Sequence, residues 1–473
     1  VQPQYKDDPW PHVNHKITLP EGRLEPEELS VILSKTDYTH VYLPIPKQRL
    51  GSYENIIPSL RKIQSSIIFE NGSIEKIKPF HEKWAQLSTF NLDWQLKCFE
   101  RLRRQPNPNE STDVLMLLSS SNIYDSRVFR HAVALGEIGL KVKILAGANP
   151  NDSEPRKLDS KVWLERVDFT RPVLSGLLDR GLDIKPRIVF ANEIETLGVG
   201  HQLAMAHGVK LAYDTREVWW GQENHACRKN ELIQHYRDVE NRCINDLEIF
   251  LCESPYAARV LEKRYEVSPQ PIRNVCPLPD PVIDDLGNKL EDKKLIFTGR
   301  MTTKYHCEKI LKSLKHLPQE ITLHAWVTKI DQSIHDVIQK FYLEEKVFLH
   351  SPVPPDDVST AIQTGWLGIV PIFKGYYLNH DVSLPNKLFE ALSAGLPVVC
   401  GNAPEIKRVV NDHGLGIVID ENEIRGFVRA IQRFYQDRHF YEECYQNVLS
   451  YRRKVNLTTE KKRLQELFKP LKS

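Results

Sequence analysis

From about residue 110 onward, short apolar runs of strand length alternate with segments of helical spacing, and this alternation limits the fold more than any other feature. Val114–Leu118 is an unbroken apolar run, and Val128, Ala132, Leu135 and Ile138 form one stripe on a helix expected over 125–139. Val142–Ala146 is a second strand. Further units follow: a strand at 188–190, a helix at 196–207, a strand at 210–213, a helix at 228–246, a strand at 248–251, a helix from Pro255 and a strand at 271–275. Cys276-Pro-Leu-Pro-Asp-Pro-Val282 and a run of charges to about residue 292 read as a linker. A second series opens with a strand at 294–298 and a helix to about Leu314. It continues through strands at 321–326, 346–349, 367–371, 397–400 and 416–419, and a long helix starts near residue 421. Repeated βα alternation predicts α/β architecture: two doubly wound, Rossmann-like domains whose strands end at a shared cleft.

The chain of 473 residues is long enough for two cores. We expect an accessory region over 1–108, an N-terminal Rossmann-like domain over 109–280 and a C-terminal one over 281–437, with helices over 438–473 crossing back to the first domain. The accessory region holds one clear strand pattern at 39–44 and helical patterns at 56–66 and 80–104, and carries no recognisable chemistry.

With 64 basic and 62 acidic residues, the overall charge gives no reason to expect a nucleic-acid partner. The segment 451–473 is locally basic, with eight Lys/Arg against two acids. Two readings stay open for it: a solvated helix face, or peripheral contact with an anionic membrane. No apolar run reaches the roughly 18–20 residues that span a bilayer, and no signal peptide is visible. The eight cysteines are scattered without Cys-x-x-Cys spacing, as expected of reduced thiols in a cytoplasmic protein.

The segment 383–399 carries most of the chemistry. Ser383-Leu-Pro leads into a helix with Leu388, Phe389 and Leu392 on its apolar stripe; Gly395 suits the left-handed stop, and Val398-Val399 begins a strand. Asn386 and Lys387 fall in the first turn, where free N–H groups and a lysine together favour an anion. Glu390, one turn on, is placed to accept hydrogen bonds from a diol beyond that anion. Phosphate plus diol suggests a nucleotide.

The order Pro-x-Lys-x-x-Glu-Ala-x-x-x-Gly-x-Pro-Val-Val over 385–399 resembles the donor-site motif of retaining, GT-B-type glycosyltransferases of family 4, the group 1 glycosyl transferases. The resemblance covers roughly 112–435. It implies a nucleotide-diphosphate sugar as donor, transfer with retention to a glycan or lipid-linked acceptor in polysaccharide or glycoconjugate synthesis, and no metal or other cofactor. Gly299-Arg300 and Lys304 resemble the family's Gly-Arg…Lys element, which implies that Arg300 and Lys304 hold the leaving diphosphate, with Lys309 as a substitute for Lys304. Ser383, Leu384, Pro385, Asn386, Lys387 and Glu390 complete the implied donor site. The family's acidic sugar contact falls on Val382 here, leaving adjacent Asp381 as sugar ligand or plain loop aspartate.

On the acceptor side the resemblance points to Asn122, Asp125 and Arg127 in the loop 119–127, with helix capping an equal role for Asp125. Arg127 is a candidate for an anionic acceptor. Asn192 stands where the family has a histidine facing the donor sugar, and Arg216, before Glu217, replaces another histidine. Trp219 and Trp220 either stack on a sugar or pack. These departures keep two alternatives in view: a degenerate GT-B scaffold subunit, and a GT-B sugar-nucleotide epimerase using Glu193, Asp214 and Glu217 as acid/base groups.

Overall fold

The computed structural model describes residues 112–472, except 121–124, 148–154, 168–171, 222–229, 304–305, 376 and 421–422, together with three short strands nearer the start. Those strands, β1 (His40–Tyr42), β2 (Ser66–Ile68) and β3 (Ile74–Lys76), form a small sheet in the order β1-β2-β3. The helical pattern at 80–104 lies outside the described residues, as does that at 56–66 except for Ser66, which is in β2.

The first large sheet contains β4 (Val114–Leu118), β5 (Val142–Ala146), β6 (Arg156–Asp159), β7 (Val162–Arg166), β8 (Ile188–Asn192), β9 (Lys210–Asp214), β10 (Leu247–Cys252) and β11 (Gln270–Pro271). Its order is β11-β10-β9-β8-β4-β5-β7-β6, parallel except for β6. Helices α1 (Ser126–Glu137), α2 (Val173–Asp183), α3 (Ile194–His207), α4 (Asn230–Cys243) and α5 (Pro255–Tyr265) connect the strands. Sequence reading finds most of these elements but misses the β6–β7 hairpin and α2. It also expects a strand over 271–275, where only the two-residue β11 pairs. The central strands β4 and β8 are buried along their whole length because both faces are covered. Leu115, Leu117, Val189 and Ala191 enter one core, while Val114, Met116, Ile188 and Phe190 alternate into the other.

After α6 (Leu286–Glu291), the second large sheet has β12 (Lys294–Met301), β13 (Thr322–Ile330), β14 (Val347–His350), β15 (Leu367–Val370), β16 (Val398–Gly401) and β17 (Gly416–Ile419). All its pairings are parallel, in the order β14-β13-β12-β15-β16-β17. The strand order reverses between β12 and β15, so the crevice beyond those two carboxyl ends is where such a sheet takes a ligand. Helices α7 (Cys307–Leu314), α8 (Gln332–Lys340), α9 (Val358–Ile362), α10 (Leu378–Val382), α11 (Asn386–Ser393), α12 (Pro404–His413) and α13 (Ile424–Gln436) join them. Gly368 of β15 lets α11 approach closely, since a Cβ there would lie 2.5 Å from the Ala391 Cβ.

The chain then returns. Helix α14 (Arg438–Lys454) packs on the second sheet through Tyr441, Cys444 and Tyr445. Helix α15 (Leu457–Phe468), started by an Asn456/Thr459 capping box, packs on the first. Leu464 and Phe468 of α15 are fully buried, and the Phe468 ring lies 5.4 Å from Phe190. Glu460 accepts hydrogen bonds from both the backbone N–H and the guanidinium of Arg273, each at 2.9 Å. The locally basic C-terminal segment is thus partly structural, with Lys461 paired to Glu137.

Among the described residues, no helix is long and apolar enough to cross a membrane. Cys243, Cys252, Cys276, Cys307, Cys400 and Cys444 are buried and take part in no disulfide.

Because Phe468 completes the core of the first sheet, Phe468→Ala should lower the unfolding free energy by about 3–5 kcal/mol. Urea denaturation monitored by circular dichroism would read this. An effect within error of zero would detach α15 from that core.

Candidate functional site

A cleft of about 700 Å³ lies between the two large sheets, lined by Thr298–Arg300, Thr302, Thr328, Lys329, Asp331, Ile372, Asn379, His380, Ser383–Lys387 and Glu390 from the second half, and by Glu217 and Glu253 from the first. Its floor is the crevice between β12 and β15. Strand β12 continues through Gly299 and Arg300 to Met301 rather than ending at Thr298, and its register with β13 shifts between Gly299 and Arg300. Gly299 has φ +93°, a left-handed value that glycine adopts without strain, and a Cβ there would meet nothing within 4 Å. The bulge presents backbone to open cleft and turns Arg300, which is exposed, to its rim.

Helix α11 begins at the same place. Its N-cap is Pro385, and no side chain caps it, so the amino end of the helix faces the cleft without a capping side chain. Lys387 sits with its Nζ 4.6 Å from the centre of the Phe297 ring. Burial pulls the lysine pKa below its ordinary value, opposed by Cys307 and Glu390. Burial likewise raises the Glu390 carboxyl, opposed by a hydrogen bond from the Thr298 hydroxyl at 2.5 Å and by Lys387. A partly dehydrated ammonium and an uncapped helix start together favour an entering anion.

The donor residues expected from sequence, namely Gly299, Arg300, Ser383, Leu384, Pro385, Asn386, Lys387 and Glu390, all line this cleft. Lys304 and Asn122 lie outside the described residues. Lys309, on α7, is not among the lining residues. A cation that sequence reading missed is Lys329, the Cα partner of Arg300 across β12 and β13. It was hidden because β13 runs to Ile330, four residues beyond the apolar pattern that marks it.

Other expectations need correction. Asp381 does not line the cleft; its carboxylate accepts the Gly375 N–H at 2.9 Å, while Asn379 and His380 of the same short helix face inward. Asn192 is fully buried at the end of β8, where its amide donates to the Leu117 carbonyl at 3.1 Å. Arg127 is buried and bidentate to Asp214, at 2.7 and 3.0 Å, and also donates to the Ile272 carbonyl at 2.7 Å. Arg216 pairs with Asp125 and, at 2.6 Å, with Glu193. Asp125 caps α1 through the Val128 N–H at 3.2 Å, which is the structural role expected for it. Glu193 and Arg216 both hold left-handed φ values, so this ion cluster fixes two non-glycine residues in an uncommon conformation. Trp219 packs: it is 1% exposed and its ring N–H donates to Glu240 at 2.7 Å. Trp220 packs edge-on against Trp219 and Tyr265.

Two more contacts tie the halves around the cleft. The Asn379 side chain accepts the Val218 N–H at 3.1 Å, and the Asn274 amide donates to Asn386 at 2.9 Å.

Residues 281–450, which include every motif residue from Gly299 to Glu390, match the family model for glycosyl transferases group 1. No curated protein sequence matches the chain. Among solved structures, the chain is similar to sucrose-phosphate synthase from Thermosynechococcus elongatus, with TM-score 0.62 and 13% identity over 76% of this chain and 99% of that one. It is also similar to Anabaena HepE in complex with UDP-glucose (TM-score 0.58, 13% identity, 76% and 100% covered). A third is WaaG, a glycosyltransferase involved in lipopolysaccharide biosynthesis (TM-score 0.54, 14% identity, 75% and 99% covered). The fold is therefore GT-B, and its C-terminal half carries the group 1 signature.

The buried Arg127–Asp214 pair makes a structural prediction. Its neighbour Arg127 holds the Asp214 carboxyl down at about 2 against strong desolvation. The stabilisation is present above the ordinary value of 3.8 and lost as pH falls through about 2. At neutral pH, Arg127→Ala leaves an uncompensated buried carboxylate and should cost about 3–5 kcal/mol. Denaturant titration checks this. Wild-type stability with lost ligand binding would return Arg127 to the substrate.

Proposed function

We propose that the protein is a glycosyltransferase that moves a sugar from a nucleoside-diphosphate sugar to a glycan or lipid-linked acceptor. The observation that carries this reading is the convergence of Arg300, Lys329, Lys387 and the start of α11 on one cleft, with Glu390 one turn deeper. Arg300, Lys329 and the amino end of α11 would neutralise the diphosphate, and Glu390 would accept hydrogen bonds from ribose hydroxyls. Lys304 joins this set by resemblance to the family's motif.

In the finer reading, of the family 4 type, the bond from the sugar's anomeric carbon to the leaving phosphate oxygen breaks, and the acceptor oxygen bonds to that carbon on the same face. The acceptor's proton passes to the departing diphosphate. Fixed cations supply the charge stabilisation, so we propose a metal-independent reaction. HepE and MnaA, two structural neighbours, are both described with UDP bound, which makes UDP-sugars the first donors to test. A cytoplasmic site of action, with the basic terminal helix near an anionic membrane, fits a role in polysaccharide or glycoconjugate assembly. The carboxyl groups of Glu217 and Glu253 in the same cleft favour one second reading, a sugar-nucleotide epimerase. Incubation with donor alone separates the two, since an epimerase converts it and a transferase does not.

Isothermal titration with UDP, GDP and ADP should find one that binds. Arg300→Ala and Glu390→Ala should each weaken it about 10- to 100-fold, the range for a charge-assisted hydrogen bond. If no nucleoside diphosphate binds, the transferase reading fails and a scaffold role replaces it.

The pH dependence offers a second check. Diphosphate needs Lys387 protonated, so affinity should fall as pH rises through that lysine's lowered pKa. Titrations at rising pH below the ordinary lysine value of 10.5 should show this loss in wild type and its near absence in Lys387→Arg, because a guanidinium stays charged. Equal slopes for the two proteins would remove Lys387 from the anion site.

A further inference from the structure

The two walls of the cleft differ in charge. The wall from the second half offers Arg300, Lys329 and Lys387, whereas among the described residues the first half contributes only Glu217 and Glu253. Two arginines of the first half are already committed. Arg127 is bound by Asp214 and two backbone carbonyls, and Arg216 by Asp125 and Glu193.

Glu253 follows directly on β10, and its position is fixed by the next residue. The Ser254 hydroxyl accepts the Ala257 N–H at 2.9 Å, capping α5, and donates to the Val382 carbonyl across the cleft's edge. Oε1 of Glu253 is buried without a hydrogen-bond partner. Burial, and then the negative charge of Glu217, push its carboxyl well above the usual range. That shift favours the protonated form, in which the carboxyl can donate a hydrogen bond as well as accept one. Its orphaned oxygen costs free energy until a ligand supplies a donor.

We propose that Glu253 and Glu217 form the acceptor subsite, and that this subsite takes the uncharged, hydroxyl-bearing end of a carbohydrate and turns away phosphorylated or carboxylated ones. The proposal rests on the transferase reading above. A sugar's neighbouring hydroxyls can both give hydrogen bonds to carboxyl groups and receive them. Among the described residues of that wall, an anionic acceptor meets carboxyl groups and no cation that lines the cleft to neutralise it, which disfavours it. This reverses the expectation of an anionic acceptor at Arg127.

The test uses the full-length protein with its best-binding nucleotide sugar and matched acceptor probes: glucose and glucose 6-phosphate, fructose and fructose 6-phosphate, glycerol and glycerol 3-phosphate. Release of nucleoside diphosphate above the donor-only rate is the readout. The uncharged member of at least one pair should be used, with its phosphorylated partner at least about tenfold poorer. Glu253→Ala should raise KM for the uncharged acceptor about tenfold or more. The isosteric double variant Glu217→Gln/Glu253→Gln should narrow the preference by a similar factor. Nucleoside diphosphate binding, measured on each variant, reports whether the cleft is intact.

Preference for phosphorylated members overturns the proposal. So does an unchanged acceptor KM in Glu253→Ala, or a response to neither member of every pair in a protein that binds nucleotide. Failure of every nucleotide to bind wild type is a different result and sinks the donor reading itself.

Discussion

Holding an ammonium group against an aromatic face, away from bulk water, is the constraint on which the donor side of this molecule depends. Lys387 reaches that position only because α11 lies tight on the sheet, and α11 lies tight because Gly368 leaves room for Ala391. The arrangement leaves charge partly desolvated in the unliganded protein, for Glu390 as for Lys387. A dianionic ligand relieves that cost for the lysine, and the bulge at Gly299 brings Arg300 and Lys329 to the same place. Packing, backbone geometry and electrostatics all point into one crevice.

The opposite wall follows a different logic. Its arginines Arg127 and Arg216 are paired with carboxylates at the end of β9 and in the loops after β4 and β8. These pairs brace the strand ends and hold Glu193 and Arg216 in left-handed conformations. Among the described residues of that wall, those lining the cleft are Glu217 and Glu253. On the proposed reading, a cationic wall for the donor faces a carboxyl wall for the acceptor, which makes the site directional.

How much of this was legible in the sequence varies with the physics involved. Buried parallel strands announce themselves as apolar runs, so most strands and the cleft between two sheets could be read directly. The α11 segment was legible because its proline, lysine, glutamate and glycine each answer a local requirement of helix start, anion, diol or stop. Partner choice was not legible. Nothing in the spacing of Arg127, Asp214 and Cys252 tells that the first is spent on the other two rather than on a substrate. Lys329 escaped notice because the exposed end of β13 has no apolar pattern. Glu253 had one signal, its place just beyond the carboxyl end of a parallel strand, where ligands of such sheets bind. Asp381 and His380 differ by one residue on a short helix, a rotation too fine for spacing arguments to resolve.

The return of the chain has a mechanical consequence. The polypeptide passes between the two halves once through the segment before β12 and again at Val455–Asn456, where α14 on one core gives way to α15 on the other. Two bodies joined at two points cannot swivel freely. Any opening that preserves both connections turns about the line through them, like a door on a pair of pins. Such a pivot would carry the wall of Arg300, Lys329 and Lys387 away from that of Glu217 and Glu253 and return it to the same alignment.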